Sequence, residues 1–130
     1  MAGTVPFIVL GTIHLFYTFF TNKFSARNAI IDEEMKNAFP VLTKETTIWK
    51  AWIGFNASHA SGAMFIGIIN LLIAVQYDFI LKNFLFLALN IFTVLFYLGL
   101  AKKYWFRIPF IGILLSAICF ITAAAFVFIG

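Results

Sequence analysis

Four apolar runs, each close to the ~20 residues a helix needs to cross a hydrocarbon core, constrain this chain more than any other feature. Lipid offers no partner for a backbone N–H or C=O, so a spanning segment must be a helix or part of a closed barrel. The runs lack the in-out alternation of barrel strands. With 63% hydrophobic and 11% charged residues, the sequence predicts an all-α integral membrane protein, a four-helix antiparallel bundle. The 130 residues read as a single membrane domain, with spans over about 4–20, 48–75, 79–101 and 109–129.

Local signals place the ends of these spans. Pro6 falls in the opening turn of the first, where its missing N–H costs nothing. Met1 to Phe20 has neither the basic start nor the small-residue cleavage site of a signal peptide, so this span is expected to be retained. Thr43 is the expected N-cap of a second helix whose first turns protrude, with Trp49 and Trp52 at the headgroup level. Asp78 is expected to cap the third helix, which ends near Lys102 and Lys103; Pro109 fits the first turn of the fourth. Short second and third loops imply antiparallel neighbours.

Counting basic residues orients the chain. Lys23, Arg27, Lys36, Lys44 and Lys50 lie in the first loop and its edge, Lys102, Lys103 and Arg107 in the third, and only Lys82 on the other side. Eight against one puts loops one and three in the cytoplasm and both termini outside. The net charge of +4 then belongs to the membrane rim, and nucleic acid is not an expected partner.

The first loop is patterned. Between Ser25 and Phe39, the residues Ala26, Ile30, Ile31, Met35, Ala38 and Phe39 recur at three-to-four spacing, with Asp32, Glu33, Glu34 and Lys36 largely opposite, and Pro40 ends the run. A short amphipathic helix over about 25–39 follows. One reading lays it at the cytoplasmic interface or packs it under the bundle. The other makes it a lid over a cavity open to the cytoplasmic leaflet.

His14 and His59, the two histidines of the chain, each lie inside a span. Ionisable groups at such depth are costly and mark candidate functional sites. Counting inward from Phe20 and from Trp52 puts each about seven residues, or ~10 Å, from the cytoplasmic interface. Tyr97, Thr93 and Ser116 lie at ~8, ~14 and ~14 Å by the same count. On the second helix Trp52, Asn56, His59, Ala63 and Asn70 form one stripe, while Gly54, Ser58 and Gly62 form a small-residue ridge suited to close packing or self-association. The expected site therefore gathers His14, Asn56, His59, Thr93 and Tyr97. Asn70 and Asn90, deeper still, read as interhelical clamps, and Gly112, Ser116, Cys119 and Ala123 as a packing seam. Taken singly, each histidine is equally an interhelical hydrogen-bonding group.

The chemistry open to this set is bounded. Ligation of haem b by His14 and His59 is physically sensible in an apolar bundle. Zinc lacks its usual third and fourth ligands, because no carboxylate lies in a span and Cys119 is alone. One cysteine also rules out a two-thiol redox centre. The spans contain no charged relay, filter-like loop or repeated half, which disfavours channels and secondary transporters.

The stretch Trp52-Ile-Gly-Phe-Asn-Ala-Ser-His-Ala-Ser-Gly62, together with Gly11-Thr-Ile-His14, resembles small bacterial four-span membrane proteins of unassigned function that carry a Gly-Phe-Asn-x-Ser-His signature in the second helix. The resemblance implies four helices, a role for Asn56, Ser58 and His59, and a bacterial inner-membrane location. It implies no activity. The layout is also similar to that of small eicosanoid- and glutathione-handling membrane enzymes, whose arginine- and glutamate-bearing motifs do not occur in register here; that likeness concerns fold alone.

Three functions compete at this stage. The first is a bundle that binds a hydrophobic or amphipathic ligand, such as a lipid, quinone or haem, in its cytoplasmic half. The second is an accessory subunit of a larger membrane complex or a homo-oligomer. The third is a small membrane enzyme using a histidine as acid or base.

Overall fold

The computed structural model describes residues 2–129, apart from the side chains of Asp78, Phe128 and Ile129. It is all-helical among the described residues. A 3-10 turn, Ala2–Thr4, leads into α1 (Val5–Phe20); α2 (Ala29–Asn37), α3 (Ile48–Gln76), α4 (Phe84–Tyr104) and α5 (Arg107–Ile129) follow. Four of these helices, all but α2, are long and apolar enough to cross a membrane. At ~1.5 Å per residue, the 29 residues of α3 outrun a ~30 Å hydrocarbon core.

Caps decide where the helices begin, and two lie later than the sequence suggests. Phe84 opens α4 because the Asn83 side chain accepts hydrogen bonds from the Leu85 and Phe86 N–H groups at 2.9 and 3.2 Å. Asp78 instead starts a 3-10 segment, Asp78–Lys82; its side chain, and with it the expected capping role, lies outside the described residues. Thr43 does not cap α3: its hydroxyl accepts from Glu45 N–H within a turn. Thr47 takes that place, accepting from Lys50 N–H at 3.3 Å while its carbonyl receives Ala51 N–H. Each later cap directly precedes the first residue of its helix.

The loop helix α2 is shorter than expected at both ends. Asn28 caps it through Ile30 N–H, and the backbone is already extended at Ala38, ahead of Phe39, which Pro40 keeps out of the helical region. Its apolar set is only partly inward. Ile30, Ile31 and Phe39 are exposed, as are Val41 and Leu42 beyond them. Asp32 and Met35 are the half-buried side chains; Asp32 accepts from Ala26 N–H at 3.2 Å and pairs with Lys36 at 2.8 Å. The Lys36 ammonium lies 5.9 Å above the Trp49 ring, and Ile48 N–H donates to Ala38 C=O, which fastens α2 to the start of α3.

The Lys36 hydrogen bond, with help from Ala26 N–H, holds the Asp32 carboxyl below its usual pKa, and Asp32 in turn raises that of Lys36. A carboxylate depressed in the folded state stabilises above its unfolded pKa of ~3.9 and loses that contribution as pH falls through the folded value. Acidification below about pH 4 is therefore expected to fray α2 before the apolar helices. Amide hydrogen exchange resolved by segment checks this; equal protection of α2 at pH 3 and pH 6 would refute it.

The described chain packs as two compact units. One comprises Met1–Leu10 with Ala63–Gly130, the other Gly11–Gly62. The core of the first is Phe7, Ala63, Val94, Ile113 and Ala117, with Tyr97, Leu98, Trp105 and Phe120 packed around it. Only Trp105 and Phe106 separate α4 from α5, so the two run antiparallel. Small residues set the spacing here. A Cβ on Gly67 would lie 2.6 Å from Ile8 Cγ1 and 3.0 Å from the Thr4 carbonyl oxygen, and one on Gly112 would collide with the Leu10 side chain. Ser116, beside Ala117 on α5, is 0% exposed, and its Oγ has no hydrogen-bond partner among the described residues. Deleting a buried, unpaired hydroxyl removes a desolvation penalty. Ser116→Ala should stabilise the chain by about 1 kcal/mol in a detergent-unfolding titration; a loss of similar size would mean that the hydroxyl is paired.

At Gly54 and Ser58 the expected small-residue ridge makes no close contact within the chain. A Cβ on Gly54 would meet nothing within 4 Å, and the Ser58 hydroxyl turns back to donate to Phe55 C=O.

Candidate functional site: an oriented histidine pair

Within the unit Gly11–Gly62, the second half of α1 faces the first half of α3, and three of the five expected site residues meet there. His14 Nε2 and Asn56 Oδ1 are 3.1 Å apart. The His14 and His59 rings lie 5.8 Å apart, centroid to centroid, at 67°. Asn56 is buried, and both imidazoles are half-buried.

Hydrogen-bond logic fixes the roles of these atoms. A backbone carbonyl can only accept, and Asn56 Nδ2 donates to Trp52 C=O at 2.8 Å. The other end of the amide, Oδ1, is then the acceptor that His14 meets. His14 must donate through Nε2–H. In the neutral imidazole this leaves Nδ1 as the unprotonated nitrogen, available to accept a proton or bind an electrophile. The same helix supplies a further restraint, since the buried Thr18 hydroxyl donates to His14 C=O at 2.8 Å.

Aromatic groups wall the pair. The Phe24 ring lies 4.7 Å from the His14 ring and 6.3 Å from Trp52, and Trp52 Nε1–H donates to Phe24 C=O at 3.1 Å. Phe55 stacks nearly parallel to His59, with centroids 6.5 Å apart. Trp52 thus orients Asn56 through its carbonyl and holds the Phe24 loop through its indole. The sequence pattern sets Trp52 at the headgroup level and on one stripe with Asn56 and His59 but gives it no part in the site, and it does not single out Phe24 or Phe55. Phe55 stands at i−4 from His59 and could have been found by helical spacing. Phe24 lies in an irregular loop, where no periodicity marks it.

Thr93 and Tyr97 belong to the other unit. Tyr97 packs there edge-on against Phe7 at 5.7 Å and Trp105 at 6.1 Å, as part of the core periphery. Thr93, one turn earlier on α4, is half-buried.

The geometry also bears on metal chemistry. Iron ligation by His14 would use Nδ1 or break the bond to Asn56, because Nε2 carries its proton toward Oδ1. Among the described residues, no three His, Cys, Asp or Glu side chains converge as a metal site. Neither family models nor curated proteins nor solved structures match this chain.

Proposed function

We propose that this protein binds a hydrophobic or amphipathic ligand in the membrane, with the polar part of that ligand held at His14, Asn56 and His59. The observation that carries the reading is the oriented His14 imidazole: Asn56 fixes its tautomer, and His59 stands 5.8 Å away. A structural histidine needs partners but no defined free nitrogen. A binding site needs that nitrogen placed and its surroundings apolar, as Phe24 and Phe55 make them. The bias of eight basic residues against one supports a site in the cytoplasmic half, with loops one and three in the cytoplasm and both termini outside. The Gly-Phe-Asn-x-Ser-His stretch, which contributes Asn56 and His59, supports a bacterial inner membrane as the setting.

The test is retention of co-purified small molecules, read by mass spectrometry and by the visible spectrum of gently purified protein. His14→Ala and His59→Ala should each lose the same species at least tenfold while the helical circular dichroism is kept. A Soret band lost in both variants would identify the cargo as haem. Loss of helicity in parallel with loss of cargo, or cargo indifferent to both changes, would overturn the reading.

A further inference from the structure

The unit formed by Met1–Leu10 and Ala63–Gly130 encloses a cavity of about 440 Å³, a size that lies within the ~300–1,000 Å³ of small-molecule sites. It opens between the first residues of the chain, the end of α3, the start of α4 and the last turns of α5. Leu87, Ile118 and Phe120 are among its apolar walls, and Asn70 and Asn90 are its two amides. Both asparagines are at least nine-tenths buried.

The NH₂ groups of both amides bond within their own helices rather than across to a neighbour. Asn70 Nδ2 donates to Ile66 C=O at 3.0 Å and Asn90 Nδ2 to Phe86 C=O at 2.9 Å, each one turn back in its own helix. Because those carbonyls can only accept, each amide must turn its NH₂ to the backbone and offer Oδ1 elsewhere. Two oriented acceptors thus stand in the wall of one apolar cavity. A lipid tail has no group to donate to them, and an ether or ester head would add acceptors to acceptors.

We propose that this cavity is a binding site for a small amphiphile whose head donates hydrogen bonds, a hydroxyl-bearing molecule with an apolar body. It is separate from the histidine site in residues and in ligand requirement, and it does not depend on that reading. Asn70 on α3 and Asn90 on α4 receive the hydroxyl, and the apolar walls contributed by α4 and α5 receive the body.

A decanol analogue with a diazirine near its tail, photolysed with the purified chain in phosphatidylcholine vesicles, tests this. Label should concentrate on peptides containing Leu87, Ile118 and Phe120. Decan-1-ol should compete at roughly tenfold lower bilayer concentration than methyl nonyl ether, which has the same number of heavy atoms and no donor, since leaving buried acceptors unpaired costs about that factor. Asn70→Leu and Asn90→Leu should each shrink the difference, and His59→Ala should leave it unchanged, which separates failure here from failure at the histidine pair. The alcohol–ether comparison on the unaltered chain stands even where a variant does not fold. Equal competition by the ether, or label spread over the lipid-facing surface, would overturn the proposal and leave a cavity filled by lipid tails.

Discussion

Gly67→Ala is expected to destabilise the unit built on Phe7 and Val94 by about 1–3 kcal/mol, and Gly67→Leu to prevent its native packing. The added Cβ has nowhere to go. Ile8 Cγ1 would be 2.6 Å away, the Thr4 carbonyl oxygen 3.0 Å and the Ile8 backbone nitrogen 3.2 Å. A flexible side chain could swing aside, but two of these three atoms are backbone, in the 3-10 turn and the first turn of α1, so the chain itself must retreat. Overpacking in a close-packed interior costs about as much as leaving a small hole, because neither strain nor void is absorbed locally. Gly54→Ala is the control: its Cβ would meet nothing within 4 Å. Thermal or denaturing-detergent unfolding of both variants decides the matter. Equal stability of Gly67→Ala and the parent chain would show that the close approach at Thr4 is not a packing constraint.

That contrast also shows how far the sequence could be read. Hydropathy located all four long helices, because the requirement to satisfy every backbone group in lipid leaves no alternative to a helix. Small-residue spacing located one close contact, at Gly112 in the seam with Ser116 and Cys119, and missed the one at Gly67. Gly54, Ser58 and Gly62 repeat every four residues and read as a ridge, yet Gly54 meets nothing, whereas Gly67 stands alone among Ile66 and Ile68 and is pressed against Ile8 of α1. Spacing records which residues share a face; it does not record which face meets a neighbour.

The caps of α3 and α4 differ from expectation for a related reason. Thr43 and Thr47, or Asp78 and Asn83, are equivalent as capping chemistry, and the choice between them depends on how the chain enters the apolar run. In the loop helix, the three-to-four spacing of its apolar residues was legible, but the inward side pairs Met35 with Asp32, whose bonds to Ala26 and Lys36 fix it there, while Ile30 and Ile31 are exposed. At the candidate site, helical spacing brought Asn56 and His59 to one stripe, and matched depth set His14 beside them. Nothing in the pattern indicated that Asn56 would donate backward to Trp52, and that single bond decides which nitrogen of His14 is free.

Asn56→Leu should therefore release the His14 tautomer and abolish cargo retention while leaving the chain folded. The magnitudes separate the two effects. Polar side-chain contacts in membrane proteins average about 0.6 kcal/mol and reach about 1.7, so losing this one takes a small share of a typical 5–15 kcal/mol stability. The effect on His14 is larger in kind. Without Oδ1, no acceptor holds the proton on Nε2, and the imidazole can place it on either nitrogen or rotate away from the His59 edge. Nitrogen NMR of histidine-labelled protein reads this directly: the parent chain should show a protonated Nε2 and an unprotonated Nδ1 at His14, and Asn56→Leu a mixture. Asn56→Gln, whose longer amide cannot hold both Trp52 C=O and His14 at the same distances, should fall between the two. A parent spectrum with the proton on Nδ1 would overturn the assignment of roles. A mixed-tautomer variant that still retained its cargo would show that binding does not use the free nitrogen of His14, and the histidine pair would then be a hydrogen-bonding element between α1 and α3.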